Sequence, residues 1–113
     1  MAGSKNLLKW MRDVVAMEAA ALSALQGALD ESAARAVRAI ARCRGKVVVT
    51  GTGKSGLIAQ KIAATLASTG TPALYLHPAD GLHGDVGLVQ RQDIILAIGK
   101  SGESDELNLI LPA

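Results

Sequence analysis

A short apolar segment that runs directly into a glycine-rich turn constrains the fold of this chain more than any other feature. Residues 46–50 are Lys-Val-Val-Val-Thr, a β-branched run without the alternation of a strand that has one wet face. Such a run is typical of a strand buried on both faces. Residues 51–56 follow as Gly-Thr-Gly-Lys-Ser-Gly, and apolar residues at helical spacing begin at Leu57. The sequence therefore predicts a strand, a tight turn and a helix.

The same order of elements recurs near the end of the chain. Residues 93–98 form a second apolar run, and a turn rich in glycine and serine, residues 99–104, leads from it into a predicted helix. Another strand is predicted over residues 73–76, after a helix end at residues 70–72, and residues 77–85 are predicted to be an irregular loop or a short helix. Strands that alternate with helices at this spacing indicate right-handed crossovers and a parallel sheet. Ligands bind such sheets at the carboxyl ends of the strands.

Two helices are predicted ahead of the first strand. Apolar residues recur at helical spacing over residues 7–29, which predicts one long amphipathic helix whose stripe suggests contacts between subunits. Asp30 or Ser32 provides a cap for a second helix over residues 33–42, and Gly45 marks its end. The chain therefore begins with a helical arm.

We expect a single α/β domain over residues 1–113, with the helical arm at 1–44 and the sheet-bearing part at 45–113. Its architecture is predicted to be a parallel sheet with flanking helices, doubly wound as in flavodoxin. Three parallel strands leave an uncovered edge, and the sequence stops barely two turns into the last predicted helix. We therefore expect the sheet to be truncated after its third strand and the protein to continue beyond residue 113.

Composition excludes several classes of protein. Half of the 113 residues are apolar and 19% are charged, which excludes a disordered chain. A formal net charge of +2, with Trp10 and Tyr75 as the whole aromatic content, argues against a nucleic-acid partner. The single cysteine, Cys43, excludes a disulfide framework and a cysteine-based metal cluster. No apolar run approaches the ~18 residues of a membrane span and no signal-peptide core is present, so we expect a cytoplasmic protein without a membrane partner.

The two glycine-rich turns predict a site for a phosphorylated ligand. The first N–H groups of a helix lack intrahelical acceptors and lie at the positive end of the helix dipole, so they attract anions. Ser101 and Ser104 add hydroxyl donors in the second turn, and Lys54 adds a cation in the first. A reading in which these glycines serve only tight turns leaves Lys54 unexplained, but it stays open.

Two nucleotide motifs fit the first turn less well. Residues 51–56 match the G-x-G-x-x-G fingerprint of dinucleotide sites, which also needs an acid at the end of the second strand. That strand ends at residues 75–77 without an acid, and the nearest one is Asp80. A P-loop would need glycine at the position of Val48. A sugar-phosphate or phosphate site is therefore the favoured interpretation.

Candidate catalytic groups follow the second and third strands. His83 precedes Gly84 and Asp85, and a carboxylate beside an imidazole suits proton transfer near neutral pH. Acids at the start of the last helix are favoured by its dipole, but several acids beside a phosphate would repel it. We therefore expect Glu106 to face the carbon skeleton as a general base. His77 and His83 lie six residues apart, which is not a recognised spacing for metal ligands.

On these residues the chain resembles a sugar isomerase (SIS) domain, and specifically the arabinose 5-phosphate isomerase family. The resemblance covers nearly all of residues 45–106 and includes residues 53–56 (Gly-Lys-Ser-Gly). Its highly specific matches are residues 83–85 (His-Gly-Asp) and 101–104 (Ser-Gly-Glu-Ser). It implies an aldose–ketose isomerase that interconverts ribulose 5-phosphate and arabinose 5-phosphate through an enediolate. That reaction feeds synthesis of the octulosonate sugar of bacterial lipopolysaccharide or capsule.

The resemblance also implies roles for individual residues. Lys54, His83 and Glu106 would be catalytic, and His77 would be the position of a zinc ion in some members, with no cofactor otherwise required. The family forms tetramers. The residues that would bind or border the substrate are Gly53, Ser55, Gly70, Thr71, His77, Ser101, Gly102 and Ser104.

The chain departs from the family in two respects, and two other functions stay open. Residues 99–100 are Gly-Lys where relatives more often have Ser-Asn, and the further strands, another glutamate, another histidine and the CBS modules of relatives would follow residue 113. The other functions are a non-catalytic sugar-phosphate-binding regulatory domain and a keto–aldo isomerase of a related sugar phosphate. A regulator should carry a DNA-binding module, and residues 1–44 lack the turn pattern of one.

Overall fold

The computed structural model describes residues 3–82 and 85–99, with side chains given except at positions 82, 85 and 86. This part of the chain divides into two compact units, the first ending at Val37 and the second beginning at Arg38. The elements, in chain order, are α1 (Ser4–Ala28), α2 (Glu31–Ala41), β1 (Val47–Thr50), α3 (Gly53–Ser68), β2 (Ala73–Tyr75), α4 (Pro78–Leu82), a 3-10 turn (Asp85–Leu88) and β3 (Ile94–Ala97).

The N-terminal unit is helical, as predicted. Helix α1 is 25 residues long and none of its residues is buried. Asp30 caps α2, because its Oδ1 accepts hydrogen bonds from the Ser32 N–H at 2.9 Å and from the Ser32 hydroxyl at 2.5 Å. These bonds, led by the one from the hydroxyl, lower the pKa of Asp30 below its ordinary value. No helix among residues 3–82 and 85–99 is long and apolar enough to cross a membrane.

The C-terminal unit contains a three-stranded parallel sheet in the order β2-β1-β3. Strand β1 lies in the centre, with Val48 paired to Leu74 on one side and to Ile95 on the other. All four residues of β1 are buried, which agrees with its unalternating β-branched sequence. The predicted parallel sheet is therefore confirmed over the three described strands.

Helix α3 packs against the sheet through its smallest residues. Gly56, Ala59 and Ala63 are buried, and the two alanines join Val47 and Val49 of β1 in the core. The larger residues Leu57 and Ile58 are 64% and 55% exposed. Small side chains at these three positions let the helix backbone approach the central strand closely.

The end of α3 is fixed by a Schellman motif. The N–H of Gly70 bonds to the Ala67 carbonyl at 3.3 Å and the N–H of Thr71 bonds to the Leu66 carbonyl at 2.9 Å. Gly70 has a φ of +98°, the left-handed conformation that this motif places after a helix. The chain then enters β2 at the amino edge of the sheet, where the Val47 N–H donates to the Pro72 carbonyl.

An ion pair joins β1 to the segment before β3 at the same amino edge. Lys46 Nζ lies 2.6 Å from Asp93 Oδ2 and also donates to the Leu88 carbonyl at 2.7 Å. Asp93 further accepts from the backbone N–H groups of Lys46 and Gln90 at 2.9 and 2.7 Å. The Asp93 side chain is 1% exposed, so this carboxylate is buried and its charge is balanced by the Lys46 ammonium and the two backbone N–H groups.

Candidate functional site

The strand order places a topological switch point at the carboxyl edge of the sheet. From β1 the chain crosses to β2 on one side, and then to β3 on the other side of β1. The strand order therefore reverses direction between β1 and β3, and α/β sheets bind ligands at such a switch point, outside the carboxyl ends of the strands. The Ile98 N–H donates to the Thr50 carbonyl at 2.9 Å, so β1 and β3 stay paired up to this edge.

The turn after β1 presents the first turn of α3 to this edge. Gly53 begins the helix with a φ of +57°, a conformation that favours glycine. The first helical hydrogen bond runs from the Gly56 N–H to the Thr52 carbonyl, so the N–H groups of residues 53–55 precede it. Thr52 makes no side-chain capping bond to them. These N–H groups are therefore available to an anion at the positive end of the helix dipole.

Two side chains add polar groups to this helix start. Lys54 is exposed, and its ammonium makes no ion pair or hydrogen bond with any residue in the described ranges. Ser55 is half-buried beside it. The lysine thus places a cation beside the N–H groups of residues 53–55.

A third polar group lies beneath the turn. Thr50 is the last residue of β1, it is 1% exposed, and its Oγ1 has no hydrogen-bond partner among the residues that the structure describes. Buried hydroxyls are nearly always hydrogen-bonded in folded proteins, so an orphaned one calls for a partner. This hydroxyl lies at the carboxyl end of the central strand, at the edge where α/β sheets bind ligands.

The end of β2 contacts the glycine turn through Tyr75. Its hydroxyl donates to the Gly51 carbonyl at 2.7 Å. Burial, and secondarily the negative charge of Asp80, raises the pKa of the Tyr75 hydroxyl above its ordinary value, so it remains a donor at neutral pH. The imidazole of His77 meets the Tyr75 ring edge to face, with 6.5 Å between centroids. Sequence reasoning counted Tyr75 only as an aromatic residue and missed this contact.

The hydrogen bond of His77 does not suit the zinc expected there. Its Nδ1 accepts the Ala79 backbone N–H at 3.0 Å, which leaves the ring proton on Nε2. Binding a metal through Nε2 would require Nδ1 to carry the proton, and that proton would face the Ala79 N–H. No group of three or more His, Cys, Asp or Glu residues within the described part of the chain could hold a metal ion.

The structure brings together four of the predicted site residues and separates two others. Gly53, Lys54 and Ser55 lie at the carboxyl edge of the sheet, and His77 follows β2 at the same edge. Gly70 and Thr71 form the Schellman motif at the amino edge, separated from Gly53 by the 16 residues of α3, about 24 Å of helix. Their N–H groups bond to the end of α3, and the expectation that these two residues border the substrate stays a prediction.

The remaining predicted residues lie outside the described ranges. They include both other proposed catalytic residues and the donors of the second turn, and their assignments stay predictions: His83, Glu106, Ser101, Gly102 and Ser104.

Comparisons with known proteins agree on one family. The sequence pattern of the SIS domain matches residues 39–112. Arabinose 5-phosphate isomerase GutQ of Escherichia coli (strain K12) is 50% identical over 109 residues, which are 96% of this chain and 34% of the relative. Arabinose 5-phosphate isomerase KdsD of Yersinia pestis is 52% identical over 101 residues, 89% of this chain and 31% of the relative. The chain thus spans about a third of the length of these curated relatives.

A solved structure extends the likeness to three dimensions. The protein c3406 of E. coli CFT073, in complex with arabinose 5-phosphate, matches with a TM-score of 0.92 and 36% sequence identity. The match covers 98% of this chain and 59% of that chain.

Proposed function

Because the chain belongs to the SIS domain family, we propose that it serves an aldose–ketose isomerase that interconverts ribulose 5-phosphate and arabinose 5-phosphate. Relatives at 50% and 52% identity carry the name arabinose 5-phosphate isomerase, and a structural neighbour is in complex with arabinose 5-phosphate. The observation that carries the proposal is Lys54 in the first turn of α3, at the carboxyl edge where the strand order reverses, exposed and without an ion-pair partner among the described residues.

The phosphate of the sugar is proposed to bind at the start of α3. The N–H groups of residues 53–55, which precede the first hydrogen bond of α3, attract the dianion, and the Ser55 hydroxyl adds a donor. The second turn, with Ser101, Gly102 and Ser104, follows the neighbouring strand β3 in the sequence and would complete the phosphate site. Oriented N–H groups bind an anion with less dependence on net charge than a basic patch would.

The carbon skeleton then lies within reach of groups that move its proton. Glu106 is proposed to take the proton from the carbon next to the carbonyl and to return it to the neighbouring carbon. Lys54 stabilises the charge on the enediolate oxygen between these steps, and His83 assists ring opening. The substrate is neither oxidised nor reduced overall, so we propose that the reaction requires no cofactor. His77 would border the substrate as a donor through Nε2.

The wider setting follows from the same family. We propose a place in the synthesis of the octulosonate sugar of lipopolysaccharide or capsule, in the cytoplasm, where phosphorylated pentoses are retained. The working form is proposed to be a homotetramer, with the exposed apolar residues of α1 forming contacts between copies. A small sugar phosphate is the proposed partner, with no nucleic acid and no membrane.

Turnover of ribulose 5-phosphate, followed by NMR with the full chain, tests the proposal. Lys54→Ala should lower kcat by about 10²- to 10³-fold, the effect of removing one group that stabilises developing negative charge. Lys61→Ala is the matched control, because Lys61 is an exposed lysine of the same helix whose ammonium bonds to Thr65. It should leave the rate unchanged.

A regulatory domain would give a different outcome. Binding of arabinose 5-phosphate without turnover at any protein concentration would contradict the isomerase and favour the sugar-phosphate sensor. Retained activity in Lys54→Ala would contradict the role assigned to this lysine while leaving the reaction in place.

A further inference from the structure

We infer that Tyr75 is a positioning residue for the phosphate-binding turn, acting through the hydrogen bond from its hydroxyl to the Gly51 carbonyl. The inference rests on the proposed function for the identity of the ligand, although the contact itself does not. Tyr75 belongs to β2, whereas the N–H groups that would bind phosphate belong to α3. The hydroxyl therefore joins the second strand to the turn between β1 and α3.

The contact is short and lies in a confined place. The hydroxyl is 2.7 Å from the Gly51 oxygen, and Gly51 is buried. Tyr75 is held in register, since it pairs with Val49 and the next residue, Leu76, donates to the Val49 carbonyl at 2.9 Å. A donor fixed by strand pairing thus faces an acceptor in the turn that follows β1.

The absence of a side chain at Gly56 makes room for the hydroxyl. A Cβ at position 56 would lie 2.9 Å from the Tyr75 oxygen and 2.7 Å from the Gly51 oxygen. Both distances are shorter than real Cβ contacts, so neither partner of the hydrogen bond could keep its place. The hydrogen bond from Tyr75 to Gly51 therefore requires glycine at position 56.

The position of Gly51 sets the position of the anion site. Gly51 and Gly53 are separated only by Thr52, whose carbonyl accepts the first helical bond of α3. A shift of the Gly51 peptide is therefore passed to the N–H groups of residues 53–55. Loss of the tyrosine hydroxyl would also leave the buried Gly51 carbonyl without this donor, which favours a rearranged turn.

The test compares the full chain with its Tyr75→Phe variant. KM for arabinose 5-phosphate and the inhibition constant of inorganic phosphate should both rise about 5- to 10-fold, as expected for the loss of one neutral hydrogen bond. The value of kcat should change by less than about twofold, because uniform binding is lost rather than an interaction made in the transition state. A purely structural role would lower stability without this split between KM and kcat.

Ser68→Ala is the matched control. It also removes a hydroxyl that donates to a carbonyl, from Ser68 to Thr65 at 2.9 Å, but at the far end of α3. KM and the phosphate inhibition constant should not change in this variant. Gly56→Ala should weaken phosphate binding strongly in the parent chain and less in Tyr75→Phe, since the contact that it displaces is already gone.

The outcomes separate this inference from the proposed isomerase. Unchanged KM and phosphate inhibition in Tyr75→Phe, with turnover intact, would overturn the positioning role and leave the isomerase. A parent chain that binds inorganic phosphate at residues 53–55 by NMR but turns over no sugar would contradict the isomerase. Weaker phosphate binding in Tyr75→Phe would then still support the positioning role. No binding of either ligand to the parent chain would overturn both.

Discussion

The imidazole of His77 accepts the Ala79 N–H, and this contact decides what the side chain offers to a ligand. With Nδ1 engaged, the neutral ring carries its proton on Nε2 and is a hydrogen-bond donor. A sugar hydroxyl or a phosphate oxygen can accept such a bond, whereas a metal ion needs a lone pair. The zinc position that family resemblance suggests is therefore opposed by a backbone contact two residues away.

Zinc titration of the full chain tests this assignment. His77→Gln should leave any zinc affinity unchanged, and nitrogen NMR of the free protein should show His77 protonated at Nε2 and unprotonated at Nδ1. His83→Gln is the matched comparison, because it removes the other histidine of the chain. Zinc binding that is lost in His77→Gln alone, with a change in the ring nitrogens, would show that the Ala79 bond yields to the metal.

Single residues also show where sequence reasoning stops. The spacing of Gly51, Gly53 and Gly56 predicted a turn before a helix, and the structure confirms that turn. The pattern could not reveal that Gly56 makes room for the Tyr75 hydroxyl, because that contact depends on the pairing of β1 with β2. The spacing of a motif describes one continuous segment, whereas the hydrogen bond from Tyr75 to Gly51 joins β2 to the turn after β1.

At the scale of elements, the helix and strand segments were predictable wherever they fall within the described residues. Periodicity identified α1, α2 and α3, and β-branched runs identified β1 and β3. For the short segment 77–85 the sequence predicts either an irregular loop or a short helix, and the segment contains α4 and the first residue of a 3-10 turn. Segments this short carry too few residues for a period to show. Gly70 and Thr71, which the resemblance implies as substrate-bordering residues, form the Schellman motif at the end of α3.

The ion pair between Lys46, just before β1, and Asp93, just before β3, depends on the ionisation of the Asp93 carboxyl. Its hydrogen bond from the Lys46 ammonium, followed by those from the backbone N–H groups of Lys46 and Gln90, lowers the pKa of this carboxyl to about 2. The ordinary value is 3.8, so the native state binds fewer protons than the unfolded state between these values. The resulting stability is fully present above about pH 5 and is lost as pH falls through 4 toward 2.

Urea unfolding of the parent chain and of Asp93→Asn across this pH range tests whether the ion pair with Lys46 stabilises the fold. The parent should be the more stable at pH 7, and the difference should shrink as the pH approaches 2. Asp13→Asn is the matched control, because Asp13 pairs with Lys9 on α1 and is more than half exposed. Its effect on stability should be small. A difference between parent and Asp93→Asn that is constant from pH 7 to pH 2 would contradict the ionic account.

At the scale of the whole molecule, the parallel sheet followed from the alternation of elements, but the strand order did not. The unalternating sequence of β1 indicated burial on both faces, which agrees with its central place. The sequence did not show that β2 and β3 lie on opposite sides of β1, because the same periodicity of apolar residues fits either order of the strands. The strand order determines where the candidate site lies, because it places the switch point at the carboxyl ends of β1 and β3.

The α1 stripe, residues 7, 11, 14, 22, 25 and 29, leads to a prediction about assembly. These six residues recur at helical spacing along one face and are 44% to 68% exposed. Burial of apolar surface yields about 25 cal/mol per Å², so a second copy that covers the stripe would be stabilised. Light scattering of the full chain should therefore show several copies, and Leu22→Ser with Leu25→Ser should shift the mass toward the monomer. Lys9→Ser, on the opposite face of α1, should leave the mass unchanged, whereas an unchanged mass in the double variant would contradict assembly through the stripe.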